Sequence, residues 1–153
     1  MNACQQLAKN FRDVFFGGNW TAVNLKSIIS DINRDQAVQK VKDLNTIAEL
    51  VFHIHYYINP VLKVLKGGRL EASDKYSFLL EPLPTEAAWQ AKLQTIFEDV
   101  EKFAKHLETM DESQLYADFS EYQYGNTYRN ILGIIEHTHY HLGQIVLIKK
   151  LIS

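Results

Sequence analysis

Apolar residues recur at helical spacing along most of the chain, and nowhere does a run alternate with the two-residue period of a strand. Leu7, Phe11, Val14 and Phe15 form one face of a first helix that ends at Gly17-Gly18. After Trp20 a shorter amphipathic piece carries Leu25, Ile28, Ile29 and Ile32, with Lys26, Ser27 and Asp31 on its other side. The two pieces read as one interrupted helix, or as a helix followed by a half-helix. A longer pattern begins at Asn45 or Thr46 and runs to Leu65, with Ile47, Leu50, Val51, Ile54, Ile58, Val61, Leu62 and Leu65 on its stripe. Pro60 lies inside it and predicts a kink, because proline removes a backbone donor and crowds the preceding turn. Gly67-Gly68 closes that helix.

Beyond a loop holding Pro82 and Pro84, Thr85 is placed to cap a helix with Glu86 in its positive first turn. That helix presents Trp89, Leu93, Ile96, Phe97, Val100, Ala104 and Leu107. Asp111 suits the start of a short turn around Leu115, and Tyr116 to Gly125 is aromatic and irregular. A last helix starts near Asn126 or Thr127 and carries Ile131, Ile134, Ile135, Leu142, Ile145, Ile148 and Ile152. Lys149 and Lys150 close it where positive charge suits the helix dipole. Four main amphipathic helices with a broken first one predict an all-α, four-helix bundle filling residues 1–153 as one domain. The connection over 67–84 is longer than a tight hairpin needs, which allows a crossover.

Length and composition narrow the classes of function. A chain of 153 residues builds one ordinary core without staples. With a net charge of −2 and both signs scattered, it lacks the basic stripe of a nucleic-acid binder, so neither nucleic acid nor an anionic membrane is expected as a partner. The lone Cys4 excludes an internal disulfide and a cysteine-based zinc site, and reads as a small buried hydrophobe. The start MNACQQLAKNFRDVFF lacks the pattern of a signal peptide, and no stretch has the apolar length to span a bilayer. A cytoplasmic location is the default expectation.

Histidine carries the chemical signal. Five of six fall in two clusters, His53/His55 and His137/His139/His141. His137 and His141, four residues apart, lie one above the other on one helix face and can hold the same ion. At about 100° per residue His139 points nearly the opposite way. The His137/His141 pair runs along a flank of the core stripe, and Gln144 continues that flank. The run HTHYH lacks the glutamate that follows the first histidine of HExxH, so zinc-protease chemistry is set aside. For a third ligand the earlier helix offers His53 and His55 on different sides. Periodicity places His55 slightly nearer the core, and His53 on a flank with Thr46, Leu50 and Tyr57, so the pattern leaves both open.

The segment NILGIIEHTHYHLGQIVLIKKLI (130–152) resembles the signature helix of the DinB/YfiT-like superfamily: a final His-x3-His followed by a Gly-Gln pair, here His137, His141, Gly143 and Gln144. TIAELVFHI (46–54) is similar to the family's second helix, whose histidine follows an apolar doublet, and this matches His53. GGNW (17–20) and the order of elements are also similar. The resemblance implies a four-helix bundle with one metal ion held by His53, His137 and His141. Leu142 departs from the pattern, since many relatives carry arginine there, and an anion-binding role by analogy loses its fixed cation.

Three neutral imidazoles leave the charge of a dication unneutralised and coordination positions open, as in catalytic rather than structural sites. Nitrogen ligation suits a divalent transition metal: zinc or nickel first, with iron, copper or manganese as alternatives. The resemblance further implies a metal-dependent thiol S-transferase or related metalloenzyme. It would join a low-molecular-weight thiol to a small-molecule substrate, with Gln144 orienting a ligand histidine and Tyr57 a candidate for lining the cofactor pocket. Tyr56, Tyr124 and Tyr140 are further candidates for the pocket wall. The competing reading is a non-catalytic metal- or ligand-binding stress-response protein acting through a dimer surface. A homodimer is expected by resemblance, with the aromatics of 116–124 contributing.

Overall fold

Each main helix begins where a polar side chain satisfies its free backbone donors. A computed structural model describes residues 1–153, and its regular structure is helical throughout apart from one isolated bridge between Asp118 and Asn126. Asn2 and Gln5 form a reciprocal capping box that starts α1 (Ala3–Phe16). Asn24 caps α2 (Leu25–Ile29), and Asn33 caps α3 (Arg34–Ala37), a single turn that the hydrophobic pattern is too short to reveal. Thr46 and Glu49 form the capping box of α4 (Ile47–Tyr56). Thr85 caps α6 (Glu86–Thr109), and Asn126 caps α7 (Thr127–Ile152). Removing such a cap costs about 1 kcal/mol.

The long helix expected over 46–65 is divided. It breaks at Tyr57, and α5 (Ile58–Leu65) follows directly. The cause is Pro60: its ring crowds the carbonyl four residues earlier, on Tyr56, so the break comes three residues before the proline. Past α5, Gly67 adopts φ +83°, and a Cβ on Gly68 would lie 2.9 Å from the Lys63 carbonyl oxygen. The two glycines turn the chain sharply into the 67–84 connection.

One cluster of 35 buried hydrophobic residues draws on every one of the seven helices. Its largest fully buried members include Trp89, Phe11, Phe15 and Phe103. Phe11 packs on Phe103 with ring centroids 4.5 Å apart, joining α1 to α6. Trp89 donates its indole N–H to the Ile32 carbonyl at 2.9 Å, which ties the segment after α2 to α6. Helix α4 lies against α7, and α5 against α6. Cys4 is fully buried; that burial, with Glu112 and Asp111 nearby, pushes its thiol above the ordinary range. No helix is long and apolar enough to cross a membrane.

Candidate metal centre

The packing of α4 against α7 decides which histidines meet. His53 and His141 are buried, at 7% and 8% exposure, and His137 is half-buried. One nitrogen from each of the three lies within 4.8 Å of the other two. His53 Nε2 is 2.9 Å from His137 Nε2. Two nitrogens bound to one ion at about 2.1 Å stand about 3.0 Å apart at a right angle and about 3.4 Å apart in a tetrahedron. The His53–His137 spacing already suits such a set, and His141 offers a nitrogen within 4.8 Å of both.

The outward nitrogens of two of these rings are tied down, which sets their tautomers. His53 Nδ1 donates to the Ser77 carbonyl at 3.2 Å, and Phe78 stacks flat on the same ring, 3.8 Å between centroids and 8° between planes. His141 Nδ1 donates to Gln144 Oε1 at 2.7 Å. Both rings therefore present Nε2 with a free lone pair, the arrangement in which histidine ligates a metal while its other nitrogen is oriented by a neighbour. Where His53 Nε2 faces His137 Nε2, two lone pairs repel unless a proton or a cation lies between them. Burial, reinforced by His141 and His53, pushes His137 down to about 4, and burial with His141 also lowers His53. Near neutral pH these two rings are neutral imidazoles, each with one nitrogen lone pair available to a cation.

The other histidines go elsewhere. His55 turns toward α6, where its Nε2 meets Asp99 Oδ2 at 2.9 Å. Asn59 Nδ2 donates to the same oxygen at 2.8 Å, and Lys102 Nζ to Oδ1 at 2.9 Å. Burial raises the Asp99 carboxyl, but Lys102, Asn59 and His55 together outweigh it, and the net shift is downward. The nearly buried His55 is thus one corner of a closed polar clamp. His139 is half-buried on another side of α7 and outside the cluster. Glu136 faces solvent, and Glu49 is spent on its cap and on Lys40.

A cavity of about 850 Å³ opens beside His137, walled by Tyr57, Val61, Phe119, Tyr124 and Ile134, with Asp74 and Arg129 among its polar groups. Tyr57 lies edge-on to both His53 and His137 and donates its hydroxyl to Asp74 at 2.6 Å. Tyr56 bonds the backbone of Ser73 instead, and Tyr140, mostly exposed, leans on His141. The segment Ser73–Phe78 was only a connection in the sequence. It is the missed part of the site, since it supplies the Ser77 carbonyl, the Phe78 stack and Asp74. Its polar, irregular composition carries no signal for that role. No family model matches the chain, and neither does any curated protein or solved structure.

Proposed function

We propose that His53, His137 and His141 hold one divalent transition metal ion, and that the cavity beside His137 admits a small molecule to it. The convergence of three largely buried imidazoles, two of them oriented from behind, carries this reading. Zinc and nickel suit the all-nitrogen donor set best. Three protein ligands leave positions open, where such an ion polarises a bound group and lowers its pKa. Gln144 fixes the His141 ring, Ser77 and Phe78 fix His53, and Tyr57 with Asp74 forms the polar wall that a ligand in the cavity would meet.

The finer reading follows the resemblance of 130–152 and 46–54 to the DinB/YfiT-like superfamily. Helices α1, α4–α5, α6 and α7 then make up a four-helix bundle forming one domain, and the site is that of a metal-dependent thiol S-transferase. In that reaction the thiol sulfur forms a bond to an electrophilic carbon, the thiol proton passes to solvent, and the displaced group leaves with its electron pair. Non-catalytic metal binding is the second reading, favoured by the absence of a carboxylate within the histidine cluster.

Equilibrium titration of the apo protein with zinc and with nickel tests the core of the proposal. One equivalent should bind to the natural chain, with affinity falling at least about a hundredfold in His137→Ala and His141→Ala. Failure to bind either ion overturns it. Conjugation of a chlorobimane electrophile with low-molecular-weight thiols by the metal-loaded protein separates the transferase from the binding protein.

A further inference from the structure

The cavity beside His137 carries its charge unevenly. Asp74 is the one carboxylate on its wall, and Tyr57, which packs edge-on to His53 and His137, holds it at the histidine end. Arg129 is the one permanent cation. Arg129, Gly133 and His137 follow one another at four-residue steps along α7, so they form one row on its surface. Gly133 has no side chain, and a Cβ placed there would lie 3.0 Å from Arg129 Nη1. The guanidinium therefore reaches forward over Gly133, one turn short of His137, or about 6 Å along the helix axis.

Arg129 is also free to receive a ligand. Its one contact with a protein acceptor is Nη1 to Glu136 Oε2 at 3.4 Å, between side chains 64% and 59% exposed. Such a surface pair contributes little, and most of the five donors of the planar fork remain open. The neighbouring amides are spent: Asn130 Nδ2 donates to the Tyr124 and Asn126 carbonyls, and Gln123 Nε2 to Glu121. Val61, Leu70, Phe119 and Ile134 give the wall its apolar part. We infer that the cavity takes a small monocarboxylate with an apolar body, its carboxylate on Arg129 and its far end at the histidines. Asp74 sets that direction, because a carboxylate at the histidine end would meet a like charge. The position after His141, where the resemblance leads one to expect arginine, holds buried Leu142, and Arg129 supplies a cation from the other side of the site instead. The inference rests on the cavity serving the histidine site, as proposed above, but the contact with Arg129 requires no metal.

Nuclear magnetic resonance titration of the metal-free full chain with phenylacetate, beside its neutral analogue phenylacetamide, tests it. Phenylacetate should bind at least about tenfold more tightly than phenylacetamide, with chemical-shift changes centred on the amides of Gly133, Ile134 and Phe119. Arg129→Ala should bring phenylacetate down to the level of phenylacetamide, and Arg129→Lys should keep part of the difference. Glu136→Gln should tighten phenylacetate about twofold by freeing the guanidinium. Both side chains are exposed, so the fold should survive each change, which circular dichroism checks. Phenylacetate binding no more tightly than phenylacetamide, binding indifferent to Arg129→Ala, or shifts centred outside the cavity would each overturn the inference. The titration uses no ion, so its failure leaves the zinc and nickel titrations to be read on their own, and a chain that binds neither ion can still select phenylacetate through Arg129.

Discussion

His53 and His55 sit two residues apart on α4 and should respond to truncation in opposite ways. His55→Ala removes one of three donors from Asp99, a carboxylate whose side chain is 10% exposed, and leaves a gap between α4 and α6. A hydrogen bond to a buried charged group contributes about 1.5–3 kcal/mol, and cavity formation adds to its loss. Asn59 and Lys102 remain to hold the carboxylate, so a loss of about 2–3 kcal/mol is expected. For a chain of this size that lowers Tm by about 5–10 °C. Metal affinity should stay within about threefold, because the clamp faces α6 and the imidazole cluster faces α7. His53→Ala should do the reverse. It deletes a ligand, with a loss of affinity of at least about a hundredfold. It costs the apo protein less, because it removes the Ser77 bond and the His137 Nε2 contact but leaves no buried charge short of a partner. Urea unfolding of the metal-free variants and competitive metal titration of the folded ones read both quantities. If His55→Ala loses the metal, or if His53→Ala keeps it, the assignment of the two histidines is wrong.

Three other outcomes are expected. Gln144→Leu, which frees His141 Nδ1 while filling similar space, should lower zinc affinity about ten- to a hundredfold, and Gln144→Glu should restore it, by competitive titration. Phe78→Ala should cost about 1 kcal/mol of stability in urea, since Phe78 is partly exposed, and lower metal affinity several-fold by releasing the His53 ring. The apo protein should lose stability as pH falls. His137 is held down to about 4 in the folded chain against about 6.5 unfolded, so protons bind the unfolded state first. Stability is complete above about pH 6.5 and declines toward about pH 4. The loss from this ring is about 1–2 kcal/mol after allowing for solvent screening of a half-buried group. Urea midpoints at pH 7 and pH 5 measure it, and a bound metal should steepen the decline, because protons then compete with the ion.

Much of the helical framework is legible in the sequence because local chemistry dictates it. Thr85, Thr46 and Asn126 cap where they stand, and Pro60 interrupts its helix as steric crowding requires, though three residues ahead of itself. The spacing of His137 and His141 shows that they share a face. What the pattern does not carry is which neighbour each flank of a helix meets. Periodicity ranks His55 as nearer the core than His53, but His53 is the buried one, and His55 is partly exposed and covered by α6 and Asp99. Depth and partner are separate properties, and only the packing of α4 between α6 and α7 distinguishes the two histidines. The Ser73–Phe78 segment is illegible for a further reason: it contributes a backbone carbonyl and a stacked ring, neither of which depends on a recognisable motif.

The most direct measurement is X-ray absorption at the metal edge of the zinc-loaded protein, beside the His53→Ala and His55→Ala variants. Three imidazole nitrogens at about 2.0–2.1 Å, reduced to two in His53→Ala and unchanged in His55→Ala, are the expected result. A shell with fewer than three imidazoles in the natural chain, or one that loses a ring when His55 rather than His53 is removed, would contradict it.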